Sequence, residues 1–347
     1  MIRYLNKAVG REIFIKKKGF LYFGGTSYLS LQTHFRFKRW VLKGVLKYGV
    51  HHGASRKSNL RISLFNKVEK TLCKQAKAPA SLLVSSGYLA GQITAKQFLS
   101  DTYTAIYLPH THSALKINPQ AEETAYNALE NKITEAIAHK TTPLVYLDSI
   151  DFFGNHYPTF ECLTSLDLKD CIVIVDDSHA LGISSPDGCG SYHILSQIAC
   201  KELIVTASLG KGLGVSGGVI FCDPKRLQSL KNSPSYGGAS PPALAGLYAY
   251  HETPEIYQKQ RAQLQKNIQR FIKGVHKIEF FNGHPGHPAF GFQSPEISRE
   301  LENMGFLLTN FPYPTDKDPI MSRIVIAAGH KKKDIEALCK AINTLLD

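Results

Sequence analysis

Six short apolar runs, spaced through the middle of the chain, constrain its fold more than any other feature. They are "ASLLVSS" (80–86), "TAIYLP" (104–109), "TPLVYLDS" (142–149), "CIVIVDDS" (171–178), "ELIVTAS" (202–208) and "GGVIFCD" (217–223). Each is continuously apolar rather than alternating, the pattern of strands covered on both faces. Helical patterns lie between them, such as "AEETAYNALENKITEAIAHK" (121–140), and strand–helix alternation predicts a mostly parallel α/β sheet. The last two runs are joined by a loop too short for a crossover helix, which predicts antiparallel neighbours. From Pro242 to about Gly274 the pattern is helical, read as a long helix leading into a smaller α+β region. In that region "HPAFGFQS", "GFLLTNF" and "SRIVIAAG" are short strands. The chain then divides into an N-terminal segment (1–40), a large α/β domain (41–255) and a small C-terminal α+β domain (256–347). The N-terminal segment is expected to be helical, its "KKKG" hinting at a lid or docking patch.

Composition excludes several classes. No stretch approaches the roughly 20 uninterrupted apolar residues of a membrane helix, and the first residues, with charges scattered among them, lack the apolar centre of a signal peptide. The 7 cysteines are dispersed and form no C-x-x-C pair, which argues for a reducing, cytoplasmic setting and against a disulfide framework or structural zinc. A formal charge of +13 invites a nucleic-acid reading. The basic residues are spread out, however, and no aromatic-interleaved cluster suits single strands. A solvated surface, or attraction to an anionic small substrate, is the better reading.

"TASLGKGLGVSGGVIFC" (206–222) sets one lysine, Lys211, among glycines. Gly212, Gly214 and Gly217 match G-x-G-x-x-G, but an apolar β-run follows where a dinucleotide site needs a helix. The phosphate loop G-x-x-x-x-G-K-[ST] fails at Val205 and at Gly212. A third reading is a lysine that carries an aldehyde cofactor covalently. Pyridoxal phosphate needs such a lysine, a carboxylate for its ring nitrogen, donors for its phosphate and a flat group against its ring. Asp176 and Asp177 end one buried run, with His179 just after, where parallel sheets bind ligands. In "VSSGYLAGQ" a helix can open at Tyr88 behind two serines and a glycine, a geometry that suits a phosphate. Ser208 could add a hydroxyl. His112 is the stacking candidate, with His110 its rival.

Ser-Gly-aromatic, then His, then Asp-Asp-x-His, then a glycine-bounded Lys: this order resembles the α-oxoamine synthases, a family of fold-type I pyridoxal-phosphate enzymes. The likeness runs from "LYFGGTSYLSL" (21–31) to the last helix, and "GKGLGVSGG" is most similar to the 8-amino-7-oxononanoate synthases. The resemblance implies a mostly parallel seven-stranded sheet domain, a smaller α+β domain and a homodimer with shared active sites. It implies decarboxylative condensation of an amino acid, L-alanine first, with an acyl-CoA such as pimeloyl-CoA. Alternatives are a glycine-using α-oxoamine synthase or an aminotransferase on the same cofactor; neither nucleic acid, membrane nor metal is implied. Carried over residue by residue, Lys211 holds the cofactor, Asp176 pairs with the ring nitrogen and His179 meets the phenolic oxygen. His112 stacks on the ring, and Ser86, Gly87, Tyr88 and Ser208 lie along its phosphate edge or face. Arg323, in "SRIVIAAGH", grips the substrate carboxylate. "YGVHHGASR" (48–56) is similar to the family's substrate loop. Two departures stand out. The family's Glu and Ser-Met-Asp-Gly run is here "YLDSIDFFGNHYP", with Asp148 and Asp151 as loose substitutes. Its Ser/Thr pair before Pro-Pro is here "YGGASPP", which leaves Ser240 or backbone N–H groups for the neighbouring subunit's phosphate.

Overall fold

The computed structural model describes residues 3–150, 160–313 and 317–347. They fall into two compact units, one of the described residues of 1–38 and 255–347, the other of the described residues of 39–254.

In the first unit, β1 (Glu12–Ile15) and β2 (Lys18–Phe23) form an antiparallel hairpin in which Ile15 faces Lys18. This corrects the helical expectation for the N-terminal segment. The two-residue loop is Lys16-Lys17, both at positive φ (46° and 70°), the backbone that a tight hairpin demands. "KKKG" is therefore the turn Lys16-Lys17 followed by the first two residues of β2.

The second unit is built on β3 (Ala80–Val84), β4 (Tyr103–Tyr107), β5 (Thr142–Asp148), β6 (Leu168–Asp176), β7 (Cys200–Ser208) and β8 (Gly218–Cys222). Their order is β3-β8-β7-β6-β5-β4. The pairs from β4 to β7 are parallel, and β8 runs antiparallel to both β7 and β3. Five strands thus share one direction. The six apolar runs each supply one strand, and the expected antiparallel pair is β7 with β8. Among the described residues the sheet has six strands, not the seven implied by the resemblance. Beyond β4, Tyr107 makes a single parallel bridge to Glu123, and its carbonyl accepts the Thr124 N–H at 2.7 Å. That bridge also breaks the helix expected over 121–140. The Glu123 carboxylate accepts the His110 N–H at 2.8 Å and Lys116 Nζ at 2.7 Å, and the α-helix begins only at Leu129. Both faces of the sheet are apolar: Leu82, Tyr107, Tyr146, Ile172, Ile174 and Ile220 form a buried cluster on one face, and the residues that alternate with them, Leu83, Val145, Val173, Val175, Val219 and Phe221, are buried too.

The chain then forms helices Leu244–Glu252 and Pro254–Gly274, two where one was expected. Pro254 has no N–H to donate and its ring would clash with the preceding turn, so the helix restarts there. The first unit is completed by β9 (Asn282–Gly283), β10 (Ala289–Phe292), β11 (Phe306–Pro312) and β12 (Ile320–Val325). The sheet order is β1-β2-β11-β12-β10-β9, so the N-terminal hairpin joins the C-terminal strands through the parallel β2–β11 pair.

Candidate active site

Three neighbouring strand ends and one loop bring the expected residues of the larger unit together. β7 ends at Ser208, and the chain turns through 209–217 before β8. Hydrogen bonds from Leu209 N to Gly217 O (3.0 Å) and from Val215 N to Leu209 O (3.1 Å) close this loop. Gly212 has no alternative there, because a Cβ would lie 2.2 Å from the Leu181 carbonyl oxygen. Lys211 sits inside the turn, half-buried, with Nζ 2.8 Å from His179 Nε2.

His179 follows the end of β6, where Asp176, Asp177 and Ser178 are all buried. Asp176 Oδ1 accepts the Ser178 N–H at 2.8 Å, and Ser178 Oγ accepts the Ser208 N–H at 2.8 Å. Ser178, unmarked in the sequence reading, therefore ties the Asp176 carboxylate to the end of β7. Its signal was adjacency alone. Asp177 turns the other way and accepts the Ser191 N–H at 3.0 Å. Burial pushes its carboxyl up to about 6, while nearby Ser149 and Ser191 pull it down. Its environment is that of a buried structural carboxylate, which separates the roles of the two adjacent aspartates.

Asp148 ends β5 directly beside Asp176 in the parallel register. Its Oδ1 accepts the His112 N–H at 2.9 Å, and His112 Nδ1 accepts the Ala114 N–H at 3.1 Å. Asp148 thus positions the histidine loop. Asp151, the other substitute considered, lies outside the described residues. Burial holds the His112 imidazole below its ordinary range; Asp176 raises it and Lys211 lowers it, so the ring lies in the field of both. His110 is exposed with left-handed backbone (φ 62°) and its N–H on Glu123. Of the two rivals, His112 is the one turned to Asp176 and Lys211.

The helix Gly87–Ala95 opens against the end of β7. Ser86 caps it, Oγ accepting the Leu89 N–H at 3.1 Å. A Cβ on Gly87 would stand 2.6 Å from Ser208 Cβ and 2.9 Å from Ser208 N, so only glycine lets the helix start there. Ser208 Oγ accepts the Gly210 N–H at 3.3 Å, and Tyr88 is half exposed. Ser240 is exposed in the loop after the helix Pro234–Gly238.

Arg323 belongs to the other unit. It lies on β12, opposite Gly291 of β10 and Thr309 of β11, and is 6% exposed. Burial lowers its pKa, and Tyr28, Tyr313 and Tyr22 surround it closely enough to act in the opposite sense. An arginine kept charged in such a place suits an anionic partner.

This set fits pyridoxal phosphate. The amine is accessible in a tight turn, a buried carboxylate ends the next strand, and a helix N-terminus with two serines meets the same strand end. The fit rests on donor chemistry and on the space that Gly87 leaves. Among the described residues no group of three or more potential metal ligands exists, and no helix is long and apolar enough to cross a membrane.

Residues 20–342 match the family model of aminotransferase class I and II. The 8-amino-7-oxononanoate synthase of Marinobacter nauticus is 26% identical over 346 residues, covering 94% of this chain and 87% of that protein. Among solved structures, Sphingomonas wittichii serine palmitoyltransferase superposes with a TM-score of 0.83 at 15% identity, over 98% of this chain and 91% of that one. The 8-amino-7-oxononanoate synthase of Francisella tularensis gives 0.72 at 17% identity, over 94% and 98%. The structural likeness carries the fold, and the family match spans nearly the whole chain. The chain belongs to aminotransferase class I and II, a family of pyridoxal-phosphate-dependent enzymes of fold type I.

Proposed function

We propose that this chain is an α-oxoamine synthase that condenses an amino acid, L-alanine first, with an acyl-CoA, pimeloyl-CoA first. The products are the α-oxoamine, coenzyme A and CO₂, as in biotin biosynthesis. The observation that carries the reading is the Lys211 amine, 2.8 Å from His179 and held in the field of His112 beside the Asp176 strand end. The curated relatives named 8-amino-7-oxononanoate synthase support the choice of reaction. When bound, pyridoxal phosphate supplies an electron sink that stabilises negative charge at the amino acid α-carbon.

The chain's own residues would do the rest. Lys211 Nζ would hold the cofactor at rest, then take the α-proton and return it to the product. Asp176, buried and negative, would keep a proton on the ring nitrogen by opposite-charge stabilisation. His179 would donate toward the phenolic oxygen, and His112 would lie against the ring. Ser86, Gly87, Tyr88 and Ser208 would hold the phosphate at the helix N-terminus. Arg323 would pair with the amino-acid carboxylate in bidentate fashion, and Ser240 would serve the neighbouring subunit's phosphate in a two-fold homodimer. A cytoplasmic setting accords with the dispersed cysteines.

The test is thiol release from pimeloyl-CoA with L-alanine, run beside acetyl-CoA with glycine, each with pyridoxal phosphate. Release with the first pair, lost in Lys211→Ala, is expected. Release with the second pair alone moves the substrate within the family. Amino-group transfer without thiol release would overturn the proposal in favour of an aminotransferase.

A further inference from the structure

From Arg39 onward the helix Phe35–Tyr48 belongs to the larger unit, and there it carries apolar residues on two opposite faces. Trp40, Gly44 and Tyr48, four residues apart, make the inner face. A Cβ on Gly44 would lie 2.8 Å from Ala245 Cα, and the Trp40 and Tyr48 rings stand 5.8 and 5.5 Å from that of Tyr248. This face is packed on the helix Leu244–Glu252. Leu42 and Leu46 lie on the opposite side, 63% and 88% exposed. Arg39, Leu42 and Leu46, spaced by three and four, form one stripe, and the exposed Lys43 and Lys47 run alongside it. Both lysines are set over aromatic rings: Lys43 Nζ is 4.1 Å from the Trp40 centroid, and Lys47 Nζ is 5.1 Å from that of Tyr248. No Asp or Glu occurs in the helix. The leucines thus form an outward ridge, with cations and half-buried aromatic rings beside it.

The size and charge of this face select its partner. A stable protein contact covers about 800 Å² on each side. Ten residues of one helix are roughly 15 Å long and 10 Å across, which is far less. A two-fold contact with a second copy of the chain would also bring Arg39, Lys43 and Lys47 toward their own counterparts, which repels. A lipid surface needs no such area. Leucines enter the acyl boundary, while arginine and lysine stems extend beside them and carry their charges to headgroup phosphates. Tryptophan and tyrosine suit the same layer. The net charge of +13 adds attraction at a distance. We propose that this helix face docks the protein reversibly on a membrane surface rich in anionic phospholipid. The helix lies on that surface without crossing it, and the docking does not rest on the α-oxoamine synthase reading.

The test uses the full chain loaded with its cofactor and vesicles of phosphatidylcholine, with or without phosphatidylglycerol. Co-sedimentation measures binding, and Trp40, the one tryptophan of the sequence, reports on this helix by its emission. The wild type should sediment with the anionic vesicles, its emission shifted to the blue, and stay in solution with phosphatidylcholine alone. Added salt should release it. Leu42→Gln/Leu46→Gln should weaken binding at least about tenfold, and Lys43→Gln/Lys47→Gln by roughly fivefold per cation. Leu99→Gln makes the same change at a leucine outside the helix that is also 63% exposed, and it should bind like the wild type. The substituted side chains are exposed, so melting should be unchanged; Lys43→Arg/Lys47→Arg should keep binding and separates lost charge from misfolding. No binding to the anionic vesicles, equal binding to both vesicle types, or an equal loss in Leu99→Gln overturns the proposal. Sedimentation without a shift of Trp40 emission puts the contact on another face and overturns it as well. An oligomer formed without lipid and dissociated by Leu42→Gln/Leu46→Gln would make the face a contact between copies of the chain, against the proposal.

Discussion

Replacing Gly87 by alanine tests whether the helix N-terminus and the end of β7 form one site. At an ordinary helix start the change would stabilise the chain by roughly 0.5–1 kcal/mol, because glycine loses more backbone freedom on folding. Here the new Cβ would meet Ser208 Cβ at 2.6 Å and Ser208 Cα at 2.8 Å. Carbon atoms sit comfortably at about 3.5–4.0 Å, so the helix and the strand end must separate by about 1 Å. Overpacking of that kind costs about 1–3 kcal/mol, which lowers the melting temperature by several degrees. The same displacement moves the proposed phosphate donors away from the lysine loop, and a misplacement of about 1 Å can cost on the order of 10²-fold in activity. Melting by circular dichroism and cofactor affinity by absorbance titration read the two effects. Gly210→Ala is the control in the same loop, since its Cβ would find Ser208 Oγ at an ordinary 3.5 Å. If Gly87→Ala melts and binds cofactor like the wild type, or Gly210→Ala falls as far, the reasoning is refuted.

Three further outcomes follow from named groups. Asp176→Asn keeps an acceptor for the Ser178 N–H but removes the charge, so melting should hold while thiol release falls by roughly 10² or more; unchanged turnover would exclude Asp176 as the ring-nitrogen partner. Arg323→Lys keeps the charge and loses the fork, so the KM for the amino acid should rise more than kcat falls; an unaltered KM would place the carboxylate elsewhere. Two buried groups should shape the acid limb of stability with opposite signs. His330, pushed down to about 4 by burial, accepts the Ala327 N–H at Nδ1, and its Nε2 contacts the Tyr22 carbonyl. Its folded pKa lies below the unfolded value, so its contribution is whole above about pH 6.5 and lost as pH falls toward 4, on the order of 3 kcal/mol. Asp177, raised to about 6, favours the folded state most below the ordinary carboxylate range, and that share is lost as pH rises through 6. His330→Asn should therefore flatten the loss of melting temperature between pH 7 and 5, and Asp177→Asn should steepen it; the reverse pair of slopes would contradict both assignments.

The strands of the larger sheet were legible because burial on both faces leaves a continuous apolar run. The short β7–β8 loop was legible because no crossover helix fits within it. What escaped the reading was set by partners distant in sequence. Residues 121–128 carry a helical pattern, but Glu123 is drawn to Tyr107, His110 and Lys116, and that tertiary pull outweighs local propensity. The Lys16-Lys17 turn has no glycine or asparagine to announce it; pairing of Ile13 with Phe20 and of β2 with β11 holds the backbone there. Within the candidate site, residue types alone pointed to Lys211 and to the Asp176-Asp177 pair, since the cofactor demands a covalent lysine and a carboxylate, whereas the choice of Asp176 and the role of His179 came from the family resemblance. Ser178 and Asp148 were not given their positioning roles, because each acts through one hydrogen bond to a backbone N–H. Such a role leaves no trace in spacing.

The most direct measurement of the central claim is to reduce the yellow, cofactor-loaded protein with borohydride and map the pyridoxyl group by peptide mass spectrometry. The account predicts the added mass on the peptide that carries Lys211, and on no other lysine. A pyridoxyl group on a different lysine, or a loaded protein with none, would contradict it.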